Sequence, residues 1–232
     1  MRAVIFILLI SYLNAKEVYA TFNVVPQKEA NLAFNISGIV EKVNVDVGSI
    51  VKKGELLAKL KSSDAKANVQ LAKVELEFAK KEYLRAKRAG SALDRAKQDM
   101  YEYKYKLAKA KLDYVEAIYK KSFLRAPFSG VITAKFIEVG DGISAMPPKS
   151  VLKLESLHNK KLILEFDQKY WQDVKVGDLF KYSFDADNRV YSGEITKIYP
   201  TINPQTRKAK AEVDTLDIPS GLFGVGKIIV GK

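Results

Sequence analysis

Residues 63–122 constrain the fold of this chain more than any other stretch. They contain no proline and a single glycine, Gly90, near the middle. Before Gly90, Val69, Ala72, Leu76, Ala79, Tyr83 and Ala86 recur at spacings of three and four. After it, Leu93, Ala96, Met100, Tyr103, Leu107, Ala110, Tyr114 and Ala117 do the same. Apolar residues at that spacing share one helix face and form a heptad seam. Two seams separated by Ala89-Gly90-Ser91 predict an antiparallel helical hairpin with arms about 40 Å long, at ~1.5 Å per residue. Leu76 and Tyr83 on the first arm, and Met100, Leu107 and Tyr114 on the second, are its expected seam residues. In the run Tyr101 to Tyr105, Tyr103 is expected in the seam and Tyr101 and Tyr105 on the surface. The other faces carry Lys, Arg and Glu and should face water.

The segments on either side of the hairpin repeat each other. Ser37-Gly38-Ile39-Val40 is matched by Ser129-Gly130-Val131-Ile132, and Val47-Gly48 by Val139-Gly140, always 92 residues apart. Two copies of one small β motif therefore bracket the hairpin. Neither copy is long enough to bury a core alone. The economical fold pairs them in one β-sandwich, with Gly38 and Gly130 at equivalent positions and Gly38, Gly48, Gly130 and Gly140 expected at the turns of the two half-motifs.

Composition mainly excludes. The chain has no cysteine, hence no disulfide, thiol nucleophile or thiolate metal site. A single histidine, His158, argues against a histidine metal site or a Ser-His-Asp triad. Met100 and Met146 form no soft-metal cluster. Asp185, Asp187 and Asn188 resemble a fragment of a calcium loop but lack its later acidic ligand. The net charge is +12, and residues 63–122 hold 15 Lys/Arg against 9 Asp/Glu. Those charges are interspersed, with Glu77/Lys81 and Glu102/Lys106 at the favourable i,i+4 spacing. This reads as a solvated face rather than a nucleic-acid footprint. No catalytic residue, bound metal or cofactor is expected.

Taken in order, residues 1–20 read as a secretory leader: Arg2, then the apolar run from Ala3 to Leu13, then Val18-Tyr19-Ala20 before the preferred cut, with Asn14-Ala15 as a second one. The run is short for a membrane span, and an uncleaved anchor is the alternative. Residues 21–36 should form strands joining the barrel region described below. Residues 37–62 and 123–157 should form the sandwich. Residues 158–232, with alternating Leu162, Leu164, Phe166 and Phe180, Tyr182, Phe184, should form a small β-barrel. The expected fold is therefore α+β, multidomain and elongated: a β-sandwich split by an antiparallel coiled-coil hairpin and followed by a barrel.

This arrangement resembles the periplasmic adaptor, or membrane fusion, proteins of bacterial tripartite efflux systems, of the resistance–nodulation–division type. Residues from Ser37 to Leu60 and from Arg125 to Ile132 look like the two halves of the family's lipoyl-like domain. Val176-Gly177-Asp178, Tyr191-Ser192-Gly193-Glu194-Ile195, Asn203-Pro204-Gln205-Thr206-Arg207 and Pro219-Ser220-Gly221-Leu222-Phe223 look like its barrel motifs. The resemblance implies a non-enzymatic subunit, exported to the periplasm and peripheral to the inner membrane. It implies three contacts: an inner-membrane transporter, a TolC-like outer-membrane channel at the hairpin tip, and further copies in a ring, usually six. Relatives carry Arg, then Leu, then Ser at the tip. Here Arg85, Arg88 and Ser91 supply the basic and hydroxyl positions, while Leu93 follows the serine. Ser91 is also placed to cap the second helix. The helical insertion occupies the place of a lipoyl lysine, so neither a lipoyl or biotin group nor a full membrane-proximal domain after the barrel is expected. An adaptor of an ATP-driven exporter and, more remotely, a lipoyl or biotinyl carrier subunit are the alternatives.

Overall fold

The computed structural model describes residues 16–185, 187–215 and 218–231, and apolar and polar residues alternate from Lys16 onward. The first half of the chain runs β1 (Lys16–Pro26), β2 (Glu29–Leu32), β3 (Gly38–Val43), β4 (Ile50–Val51), β5 (Leu56–Leu60), α1 (Ser63–Ala89) and α2 (Arg95–Lys120). The second half runs β6 (Phe123–Arg125), β7 (Gly130–Lys135), β8 (Gly142–Ile143), β9 (Leu152–Glu155), β10 (Lys160–Asp167), β11 (Leu179–Phe184), β12 (Asp187–Ile198), β13 (Lys208–Thr215) and β14 (Phe223–Val230). Contacts divide the described residues into two units, 29–155 and 16–28 with 156–231.

The first unit is the split sandwich. One four-stranded sheet has the order β2-β9-β7-β4 and the other β6-β5-β3-β8. The two orders are the same once each strand is exchanged for its repeat partner. The register carries the 92-residue offset down to single residues: Gly38 faces Ile143, and Gly130 faces Val51. The turn hydrogen bonds repeat as well. Gly48 N donates to Ile132 O at 2.8 Å, and Gly140 N donates to Val40 O at 2.9 Å. Asp46 N donates to Ser49 Oγ, and Glu138 N donates to Asp141 Oδ2. Gly48 and Gly140 have φ of +86° and +97°, the left-handed region in which a Cβ is penalised. Gly38 and Gly130 sit elsewhere than in turns, each as the first residue of a long strand. Each repeat therefore completes the other's sheet, and Val40, Leu57, Leu60, Ile132, Leu152 and Leu154 meet in the shared core.

Residues 21–36 do not act as one segment. Pro26 ends β1, and Leu32 and Phe34 are buried in the sandwich core, so β2 belongs to the sandwich through its pairing with β9. The alternation of Leu32 and Phe34 shows a strand but not which sheet receives it.

The second unit is a closed six-stranded barrel in the order β1-β10-β13-β12-β11-β14, all antiparallel. Val18, Ala20, Phe22 and Val24 point inward from β1, each at most 1% exposed. The Phe22 ring meets Phe180, Tyr182 and Phe184 edge-on at 5.8, 5.2 and 5.3 Å. A 3₁₀ turn at Gln168–Tyr170 follows β10.

The barrel wall carries a buried carboxylate, Glu212, with two donors. Lys161 Nζ donates to Glu212 Oε1 at 2.8 Å, and Tyr199 Oη donates to the same oxygen at 2.5 Å. Burial pushes the Glu212 carboxyl up, but the hydrogen bonds from Lys161 and Tyr199 and the positive charges of Lys161 and Lys197 hold it below the usual range. Tyr199 is pushed up to about 12, first by its bond to Glu212 and then by burial. The fold therefore favours the protonated phenol. Its stabilisation is complete below the ordinary value of 10 and disappears as pH climbs through about 12. Urea unfolding followed across this window should fall more steeply with pH for the native chain than for Tyr199→Phe. Parallel pH profiles would remove Tyr199 from the alkaline limb.

Candidate functional site: the helical hairpin and its tip

α1 and α2 have 27 and 26 residues and pack against each other as an antiparallel pair. On α1 the inward face is the one read from the sequence: Val69, Ala72 and Ala86 are buried, and Leu76, Ala79 and Tyr83 are half-buried. On α2 the inward face consists of Gln98, Tyr101, Tyr105, Ala108, Leu112, Val115 and Tyr119, all half-buried. Tyr105 stacks on Tyr83 with ring centroids 5.3 Å apart and planes 5° apart. Lys111 pairs with Glu75 at 2.6 Å and Lys73 with Glu116 at 3.6 Å across the hairpin. Lys81–Glu77 and Lys106–Glu102 form the expected pairs along each helix, at 2.6 and 2.5 Å.

The second seam therefore differs from the expectation. Met100, Tyr103, Leu107 and Tyr114 are 41%, 64%, 55% and 67% exposed and lie on the outer side of α2. Tyr101 and Tyr105 are inside, and Tyr103 is outside. The cause is that α2 carries two adjoining stripes, each spaced three and four, displaced by about one residue. One residue is about 100° of rotation, so periodicity finds the stripes but not which one meets α1. The outer stripe is a heptad seam with no partner within its own hairpin. On α1, Leu71, Val74, Phe78 and Leu84 are also exposed.

The tip is a 3₁₀ turn at Gly90–Ala92 between the two helices. Gly90 has φ +54°, which reverses the chain after α1. Ser91 lies in that turn and does not cap α2, which starts later, at Arg95, after the N-cap residue Asp94. Gln98 performs the tying instead: its Nε2 donates to Gly90 O at 2.5 Å and Leu93 O at 2.9 Å. Nothing in the sequence pattern singles out Gln98, because the bond depends on where the turn brings two carbonyls. Arg85, Arg88 and Ser91 all come to this end of the hairpin and are exposed. Arg88 Nε donates back to Leu84 O at 3.2 Å, within its own helix. Among the described residues, no ion pair engages Arg85 or Arg88. Arg85 borders a shallow hollow with Glu82, Ala89, Leu93 and Tyr101. The tip thus presents two guanidinium groups outside any ion pair among the described residues, and a hydroxyl, beside a small hollow lined by both polar and apolar residues.

Among the described residues, no group of His, Cys, Asp or Glu is arranged to hold a metal ion, and no helix is long and apolar enough to cross a membrane.

Residues 28–150 match the CzcB-like, barrel-sandwich hybrid domain. An uncharacterized protein of Haemophilus influenzae is 28% identical over 184 residues, covering 78% of this chain and 48% of its own length. The cobalt-zinc-cadmium resistance protein CzcB of Cupriavidus metallidurans is 27% identical over 218 residues, covering 84% of this chain and 41% of its own length. The chain thus spans about half or less of these curated relatives. Two solved structures share its fold. A MacA–MexA chimera containing the Pseudomonas aeruginosa MexA α-hairpin domain aligns with a TM-score of 0.87 at 19% identity, over 94% of this chain and 80% of that one. The membrane fusion protein Spr0693 of Streptococcus pneumoniae aligns with a TM-score of 0.76 at 16% identity, over 93% of this chain and 100% of that one. The matched segment exceeds half of the chain and takes in the paired repeats and the hairpin between them. The chain therefore belongs to the family defined by the CzcB-like, barrel-sandwich hybrid domain.

Proposed function

We propose that this chain is the periplasmic adaptor of an efflux system and links an inner-membrane pump of the resistance–nodulation–division type to a TolC-like outer-membrane channel. The observation that carries the reading is the hairpin: two long helices inserted between the halves of a sandwich, ending in a tip whose arginines are outside any ion pair among the described residues. Its role is structural rather than catalytic. The hairpin spans distance, and Arg85, Arg88 and Ser91 meet the channel. Copies assemble side by side in a ring, six in the full assembly, with the outer stripe of α2 (Met100, Tyr103, Leu107, Tyr114) against a neighbouring hairpin. That stripe supports the ring because an exposed apolar heptad seam is complete only with another helix. Exposed Val47 and Val139, which occupy matching places in the two repeats, add an apolar surface on the sandwich. The protein resides in the periplasm, brought there by the leader read in residues 1–20, most of which lie outside the described residues.

The test is affinity purification of the tagged protein, after mild cross-linking in its own cells, with mass spectrometry of what accompanies it. A pump of this class and an outer-membrane channel should co-purify with several copies of the chain. Capture of an ATP-driven transporter instead would replace the pump class. A lipoylated or biotinylated lysine, with no membrane partner, would overturn the adaptor reading.

A further inference from the structure

The residues that look most like the end of a leader are a working part of the barrel. Lys16, Glu17, Val18, Tyr19 and Ala20 each face a residue of β14, from Val230 opposite Lys16 to Gly226 opposite Ala20. Pairing of β1 with β10 begins only at Ala20, opposite Phe166. Residues 16–19 therefore serve one purpose in the sheet, which is to close the barrel along β14. Val18 and Ala20 are 0% exposed and belong to the barrel core. The polar residues of the segment are engaged as well. Lys16 Nζ pairs with Asp173 at 2.6 Å and lies 4.9 Å from the Tyr170 ring centre, and Glu17 pairs with Lys227 at 2.6 Å.

A leader peptidase selects small residues just before the cut, and Val18-Tyr19-Ala20 satisfies it better than Leu13-Asn14-Ala15. A cut after Ala20 would nevertheless remove both buried side chains and leave the last residues of β14 as an unpaired edge. Unpaired strand edges invite aggregation, and an emptied core position is destabilising. We infer that processing occurs between Ala15 and Lys16, so that the mature protein begins with the first residue of β1. The small residues at Val18 and Ala20 have a separate cause. They face inward into the core that also holds the bulky Phe22, Phe166 and Phe180, in a narrow barrel where large side chains cannot all fit. The leader-like pattern at residues 18–20 is then a by-product of barrel packing. This inference rests on the reading of the chain as an exported protein.

Intact mass and N-terminal sequencing of the protein recovered from its own cells test it. The expected mature N-terminus is Lys16. A start at Thr21 overturns the inference while leaving export intact. Met1 retained in a membrane-bound protein also overturns it, and Met1 retained in a cytoplasmic protein overturns export as well. A second measurement tests the structural reason. Two versions are exported behind an unrelated leader, so that one mature chain begins at Lys16 and the other at Thr21. The Thr21 version should unfold on the order of 10 °C lower in its barrel transition, or fail to accumulate. Equal unfolding temperatures would show that residues 16–20 are dispensable and would remove the argument for the earlier cut.

Discussion

Gly130→Ala should prevent the sandwich from folding or destabilise it by about 3 kcal/mol or more, whereas Gly38→Ala should cost about 1 kcal/mol or less. The two glycines are equivalent in sequence and in register, so a reading of the repeat alone expects equal effects. Their surroundings differ. A Cβ on Gly130 would lie 2.1 Å from Glu155 O and 2.9 Å from Glu155 C, both backbone atoms held in the pairing of β7 with β9. A Cβ on Gly38 would meet only the Leu60 side chain, at 3.3 Å and beyond. A leucine side chain can turn by a few tenths of an ångström, but a paired backbone cannot move without breaking its ladder. Glu155 is buried, so displacing it also disturbs the neighbouring Leu152 and Leu154, both 0% exposed. Thermal unfolding of the two single variants decides the matter. Equal melting temperatures for both variants would mean that β9 yields freely and that the close approach is not a constraint.

Replacing Arg85 and Arg88 together with Gln should leave the hairpin folded and weaken capture of the outer-membrane channel on the order of 100-fold. That figure follows if each arginine forms one charge-assisted hydrogen bond of about 1.5 kcal/mol with the channel. Export should fall with it. Stability should change little, since both side chains are exposed and, among the described residues, the one side-chain hydrogen bond at either is Arg88 to its own helix carbonyl, Leu84 O. Loss of a favourable cation from the last turn of α1 costs about 0.3–1 kcal/mol at most at an exposed end. Helicity and melting temperature therefore separate docking from capping. Unchanged channel binding, or a hairpin that no longer folds, would leave the arginines with a capping role and the docking site elsewhere on the tip.

Local patterns in the sequence were sufficient for several features. A helix announces itself by spacing, so the existence of both arms and the inward face of α1 follow from Val69, Ala72, Leu76, Ala79, Tyr83 and Ala86. The paired halves of the sandwich follow from the 92-residue repeat, because Gly48 and Gly140 mark the same left-handed turn in each copy. The exposed arginines at the tip follow from their place near the only glycine of the hairpin. Each of these depends on neighbours within a few residues, or on the likeness of two such neighbourhoods.

Long-range geometry decided the rest. The face that α2 presents to α1 depends on how many residues the tip turn uses, and one residue more or less rotates the whole helix by about 100°. That is why Tyr105 stacks on Tyr83 while Leu107 and Tyr114 face outward. Gln98 gains its role only because the turn places Gly90 O and Leu93 O beside it. The assignment of Lys16–Ala20 to the barrel needed β14, more than 200 residues further along the chain, since a strand is specified by its partner as much as by its own alternation. The inequality of Gly38 and Gly130 arises from the different atoms that fold against each. Spacing within a segment determines which element forms. The partner that closes over it determines which side is buried, because burial is a property of two surfaces and the chain supplies them far apart.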